Sequence, residues 1–277
     1  METIVEVGGA ALYTIVHPYP GRETVILLHG GPCVPDGLGP VAARLSEDHQ
    51  VIQFHQRGTA LSPCRDSRFR IDSYVSDLDA VARQFNLDSF HLFGHSWGGC
   101  YAQIYAERFP ERVRSLFLCC SAGGTGRHWA STMLDVASWV RKRSTRADWL
   151  RMEIGALLGL AGSTRGFQLQ FRLMGRAFNR GFPTEHAVPF RVDLVRHRPV
   201  VPTVSAILKH PVLRHVPDPG FPVTILYGSD DAITCSQRYV KERYPTGTHV
   251  TVPDSGHFPW LHNPGPFYQA LAAHYSG

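Results

Sequence analysis

The chain has 277 residues, 43% hydrophobic and 18% charged, which supplies a large core and excludes a disordered, collagen-like or low-complexity protein. Its net charge of +5 is held unevenly: residues 1–123 carry 10 Lys/Arg against 13 Asp/Glu, residues 124–220 carry 15 against 6, and residues 221–277 carry 3 against 4. The basic excess is therefore one central block. That block lacks the aromatic interleaving of single-strand binders and the ligand spacing of zinc fingers, so nucleic acid is not expected as a partner, and with the charge confined to an insert and no long apolar run, neither is a membrane.

In chain order, residues 3–7 and 10–16 around Gly8-Gly9 read as a hairpin. A short apolar strand over 24–28 ends in His29-Gly30-Gly31-Pro32, a helix is expected near 38–45, and a strand over 51–54. Ile71, Tyr74, Val75, Leu78, Val81, Ala82 and Phe85 recur at helical spacing. Residues 90–93 read as a buried strand, 97–109 as a helix stopped before Pro110, and 115–120 as another apolar strand. Strands over 223–227 and 249–252 then alternate with helices over 236–243 and 266–274. This alternation specifies an α/β fold with a mostly parallel twisted sheet covered by helices on both faces. Residues 124–219 interrupt it with helix-like stretches at 133–140, 149–158 and 167–178, read as a helical cap inserted into a core of 1–123 and 220–277.

The six cysteines (Cys33, Cys64, Cys100, Cys119, Cys120, Cys235) form no C-x-x-C pair, so reduced thiols are expected. No basic region precedes the first apolar stretch, and no uninterrupted apolar run reaches the roughly 18 residues a span requires. A soluble, cytoplasmic protein is the expectation.

Gly94-His95-Ser96-Trp97-Gly98-Gly99 follows a strand and opens a helix. In that setting a G-x-S-x-G is a nucleophile elbow, which lifts the Ser96 hydroxyl above the sheet and places the Trp97 amide where an oxyanion forms. The amide of Gly31, at the end of the earlier strand, is the expected second oxyanion donor. A serine nucleophile needs a base and an orienting acid, in the chain order Ser, Asp, His. Asp231 follows the strand over 223–227 in a Gly-x-x-Asp spacing, with Asp230 as fallback, and His257 follows the strand over 249–252. Cys33, His95 and Trp260 are carried as substrate-binding candidates, although His95, pointing away on an elbow, also reads as packing. His29 reads as structural. His55, His128 and His262 are weaker pocket candidates. No metal or organic cofactor is expected.

These residues resemble the α/β-hydrolase superfamily. The nearer resemblance, carried by His29-Gly30-Gly31-Pro32, Gln56-Arg57-Gly58-Thr59-Ala60-Leu61-Ser62 and Ser96-Trp97-Gly98, is to prolyl iminopeptidase-like, S33-type serine hydrolases. The chain departs from that pattern at Cys33, His55 and Ala60. The resemblance implies an α/β-hydrolase fold and an acyl-enzyme mechanism on an ester, amide or thioester. Aminopeptidases of this type hold a substrate amine with carboxylates from the cap, where this chain offers Asp135, Asp148, Glu153, Glu185, Asp193 and Asp218 against fifteen cations. An Arg-rich cap would instead suit an anionic small-molecule acyl substrate, an acidic carrier protein or a coenzyme A thioester, unless the arginines are simply solvated helix faces. The alternatives are an iminopeptidase-type aminopeptidase, a biosynthetic lyase, C–C hydrolase or cyclase with the same residues, and a noncatalytic binding protein.

Overall fold

Eight strands form one sheet in the order β1-β2-β4-β3-β5-β6-β7-β8, in a computed structural model that describes residues 1–34, 37–184 and 190–275. β1 (Glu2–Val7) and β2 (Ala10–His17) make the opening hairpin, with Val7 opposite Ala10. β2 runs antiparallel to β4 (Gln50–Phe54), and β3 (Thr24–Leu28), β5 (Phe90–His95), β6 (Val113–Cys119), β7 (Val223–Gly228) and β8 (Thr248–Val252) continue the sheet in parallel. Every residue of β3 and β7 is buried, which is why both read as unbroken apolar runs rather than alternating ones.

The helices α1 (Gly39–Leu45), α2 (Ile71–Gln84), α3 (Trp97–Arg108), α8 (Thr234–Arg243), α9 (Pro259–His262) and α10 (Pro264–Tyr275) belong to the strand–helix alternation. α2 buries Ile71, Tyr74, Val75, Leu78, Val81 and Ala82, the face its spacing implied. Between β6 and β7 come α4 (Arg127–Arg143), α5 (Arg146–Leu160), α6 (Thr164–Asn179) and α7 (Val200–Lys209). Three of these extend the expected helical stretches, whereas α7 and α9 were not foreseen. Residues 185–189 of the expected insertion, Glu185 among them, lie outside the described residues.

α5 and α6 meet through glycine. A Cβ on Gly166 would lie 2.6 Å from the Gly159 nitrogen and 2.7 Å from the Gly155 oxygen, so no larger residue fits this contact. Side-chain caps start both helices: Thr145 accepts from the Asp148 amide and Ser163 from the Gly166 amide, each at 3.1 Å.

The chain leaves β3 toward β4 on one side and returns to β5 on the other. That reversal opens a crevice above the carboxyl ends of β3 and β5, where open α/β sheets place their sites. No helix among the described residues is long and apolar enough to cross a membrane, and all six cysteines are free.

Candidate active site

Ser96 ends β5 and precedes α3 with φ 53° and ψ −118°, a backbone conformation disfavoured for a residue bearing a Cβ. The turn is held from several sides. The Ser96 amide donates to the Cys119 carbonyl at 3.1 Å, and the Ser96 carbonyl accepts from Ala122 at 2.9 Å and Gly99 at 3.0 Å. The flanking glycines are required by space: a Cβ on Gly98 would sit 2.0 Å from the Leu28 oxygen, and one on Gly94 would sit 2.5 Å from the Gly98 oxygen. α3 is thereby drawn against the ends of β3 and β5. Trp97 is its first residue, so its amide has no acceptor within the helix.

His257 and Asp231, carried by the loops after β8 and β7, meet as Nδ1 to Oδ1 at 2.8 Å, both buried. Burial alone would raise the Asp231 carboxyl, but the charge and hydrogen bond of His257 outweigh it and hold the group below its ordinary value. Asp231 Oδ2 is buried without a hydrogen-bond partner. Asp230, the fallback acid, pairs instead with Arg143 of α4.

Ser96, His257, Gly31 and His95 line one cavity of about 580 Å³. Its remaining wall is mostly apolar and comes largely from α4, α6 and α7, with Val136, Phe167, Phe171, Met174, Phe178 and Val204 among the contributors. Among the described residues no carboxylate lines it, and Lys209 is its one cation. Four of the described acids of the β6–β7 segment do other work: Asp135 accepts from the Cys235 amide, Asp148 lies near Arg151, Asp193 pairs with Arg191, and Asp218 accepts from the Gly220 amide, while Glu153 stands exposed on α5 away from the cavity.

The substrate-binding candidates separate. His95 lines the cavity and donates from Nε2 to the His257 carbonyl at 2.8 Å, bracing the residue that meets Asp231. Cys33 and Trp260 are not among the lining residues. Cys33 is buried with its sulfur 3.8 Å from Thr203 Oγ1, and burial pushes its thiol up to about 12. Trp260 stands edge-on behind the His95 ring. His55, His128 and His262 do not line the cavity either. His128 stacks on Tyr239, while His262 accepts from the Gly256 amide at 3.0 Å and donates to Asn179 of α6 at 2.9 Å. Cys120, Asp231 and His257 offer ligand atoms within 4.8 Å of one another, the one metal-capable grouping among the described residues; there Nδ1 of His257 is already engaged with Asp231.

Sequence reasoning passed over the supports. His29 Nε2 accepts from the Gln56 amide at 3.1 Å, the Gln56 side chain donates back to the His29 carbonyl at 2.8 Å, and Trp97 Nε1 donates to Gln56 Oε1 at 2.8 Å. Gln56 thus ties the loop after β3 to the start of α3. Next to it Arg57 forms a buried two-pronged pair with Asp77 of α2, at 2.7 and 2.6 Å. Behind the elbow, buried Arg243 bonds Gln103 and the Gly123 carbonyl, and Gln103 donates to Ser121 and Ala122. The Gln56-Arg57-Gly58 segment was the available signal for the first network.

A fully parallel central sheet with this elbow over its switch point defines a class. The chain belongs to the α/β hydrolase fold family, whose model matches residues 23–264. It resembles the proline iminopeptidase of Lactobacillus delbrueckii subsp. bulgaricus, at 29% identity over 62% of this chain and 56% of that protein. It also resembles that of Clostridium botulinum, at 31% over 51% of this chain and 46% of that protein. The chain thus spans about half the length of these curated relatives. Solved structures with this fold include a Mycobacterium smegmatis proline iminopeptidase (TM-score 0.68, 21% identity, 99% of this chain and 97% of that one) and an Exiguobacterium antarcticum esterase (TM-score 0.76, 18% identity, 100% of both).

Proposed function

We propose that the protein is a serine hydrolase acting on an ester or thioester with an apolar acyl group. The observation that carries this reading is the buried His257–Asp231 hydrogen bond of 2.8 Å in the cavity that Ser96 lines from a strained elbow. With Nδ1 engaged by Asp231, Nε2 is the His257 nitrogen left to serve as base. It takes the Ser96 proton as Oγ attacks the acyl carbon, and Asp231 stabilises the resulting imidazolium. The Gly31 and Trp97 amides take the developing oxyanion, a role worth about 10²–10³ in rate for one such donor. His257 then returns the proton to the leaving group; it next takes a proton from a water that attacks the acyl carbon, and passes it to Ser96 Oγ as the acyl–Oγ bond breaks and the carboxylic acid leaves. His95 keeps the His257 backbone in register. In this reading residues 124–219 act as a cap that shapes the acyl site, and the chemistry draws on no metal.

An iminopeptidase activity is favoured by the named relatives but not by the wall of the cavity. A substrate amine would need a carboxylate there, and the described lining has none. The cap arginines leave only Lys209 on the lining, so a negative charge on the substrate would sit near that lysine rather than in the acyl site.

Fluorophosphonate labelling tests the nucleophile: the wild-type protein labels and Ser96→Ala does not. Unlabelled wild type, or labelling that survives the substitution, overturns it. Turnover of a panel of acyl esters, thioesters and N-terminal proline amides then separates the readings, with apolar esters or thioesters expected to lead and proline amides to lag.

A further inference from the structure

Large exposed apolar side chains are concentrated in one part of the surface. Of the twelve among the described residues, nine lie on α4, α5 and α7. On α5, Leu150, Ile154, Leu157 and Leu158 fall at i, i+4, i+7 and i+8, a single helical face, with exposures of 61, 45, 65 and 49%. Scattered exposed leucines are ordinary, but a continuous set of this kind marks an interaction surface. Met133, Leu160, Val201 and Leu208 are exposed and also line the cavity, so the cavity opens within this apolar region.

The same helices are rimmed by positive charge. Arg141 and Lys142 of α4, Arg146 of α5 and Lys209 of α7 are exposed, and none has an acidic partner among the described residues. The neighbouring carboxylates Asp135 and Asp148 are engaged as described above, and Glu153, exposed among the α5 leucines, is outnumbered by these cations. The surface therefore asks for an occupant that is apolar and anionic over one area.

Against the expectation from sequence that no membrane is a partner, we propose that this face of α4, α5 and α7 docks on an anionic lipid surface. A second copy of the chain would bring the same unpaired cations against these. An acidic protein would match the charge but would need a complementary apolar face of its own. An anionic bilayer offers acyl chains beneath a negative surface, the arrangement that leucines ringed by Arg and Lys fit. Because the cavity mouth lies inside the face, an acyl chain can pass from lipid toward Ser96 without crossing water; this last step rests on the hydrolase reading, the docking does not.

Co-sedimentation with phosphatidylcholine vesicles, with and without phosphatidylglycerol, tests the docking in both wild type and Ser96→Ala. Both proteins are expected to bind only the phosphatidylglycerol vesicles, and to leave them as salt rises. Arg141→Glu with Lys142→Glu should weaken partitioning by about fivefold or more for each charge removed. Leu150→Asp with Leu157→Asp should abolish it, while the melting temperature and turnover of a water-soluble short-chain ester stay unchanged. The proposal is overturned if wild type ignores the anionic vesicles, or if both double variants bind them as wild type does. It is also overturned if Leu150→Asp with Leu157→Asp merely converts a dimer to a monomer, or if the protein ignores the vesicles and is retained by an acidic peptide matrix. Binding by Ser96→Ala keeps the result independent of whether Ser96 is the nucleophile.

Discussion

The sheet core and the helices between β6 and β7 treat charge and close packing in opposite ways. In the core, Arg57 is buried against Asp77 and Arg243 is buried against carbonyl and amide oxygens, so each cation fixes a loop of the site. On α4–α7 the cations stand outward, many without partners, beside exposed leucines. Glycine shows the same contrast. Gly94 and Gly98 let backbone approach backbone beneath Ser96, whereas Gly155, Gly159 and Gly166 let one helix slide close to another. In the core, close packing fixes the backbone beneath Ser96; between the helices, it sets the width of an apolar cavity.

The sharpest way to break this division is at Ser96. Ser96→Ala should lower kcat by about 10⁶-fold and Asp231→Asn by about 10⁴-fold with little change in KM, measured on the best ester of the panel. Arg57→Ala leaves the Asp77 carboxylate buried and unpaired, and should cost about 3–5 kcal/mol in urea unfolding. Gly98→Ala, whose Cβ would meet the Leu28 and His29 oxygens at 2.0 and 2.6 Å, should cost about 3 kcal/mol and lose activity along with stability. Gly155→Ala faces the Gly166 oxygen at 2.8 Å and should cost about 1–2 kcal/mol. Its signature should be a changed preference for acyl-chain length, since Ala156 and Phe167 beside that contact line the cavity. Equal loss on every chain length would refute the division of labour.

The smallest effect concerns pH. Burial, then the charge of His257, pushes His262 down to about 4, against about 6.5 for an unfolded histidine. Its neutral form is the one that links Gly256 to Asn179. Its contribution to stability is therefore complete above about pH 6.5 and is lost as pH falls toward 4, where the unfolded chain binds the extra proton. Melting temperatures across that window should fall less steeply in His262→Gln than in wild type. An unchanged slope would show that other groups carry it.

Much of the fold was legible because the strands that matter are buried on both faces and bounded by glycine, as β3, β5 and β7 illustrate. The residues that converge at the site were legible because an elbow requires Gly94 and Gly98 by sterics, and because Asp231 and His257, the acid and base of the proposed mechanism, follow the ends of identifiable strands. α7 was missed since Val200-Val201-Pro202-Thr203-Val204 carries a proline and β-branched residues that argue against a helix; Pro202 is tolerated in its first turn. Cys33 and Trp260 illustrate a different limit. Pro32 and Val34 beside Cys33, and Phe258 two residues before Trp260, line the cavity, yet Cys33 has φ 72° and turns its sulfur toward Thr203, and Trp260 sits behind another ring. Side-chain direction in a turn is not carried by periodicity. The Arg57–Asp77 and His262–Asn179 partnerships join residues 20 and 83 apart, and local pattern has no access to such pairings.

The attachment of the four inserted helices has a mechanical consequence. Tyr74 shares a hydrogen bond of 2.7 Å with Thr203 of α7, Ser236 one of 2.7 Å with Thr132 of α4, and His262 one of 2.9 Å with Asn179 of α6. Shifting any of these helices strands a buried hydroxyl, amide or imidazole. Among the described residues, no α5 side chain bonds to the core, so α5 rides on α6 and its displacement forfeits packing area and the contact of Arg141 over the Trp149 ring. The compliance of the insertion is therefore anisotropic: stiff where α4, α6 and α7 are bonded to the core, and soft along α5, which carries most of the exposed leucines.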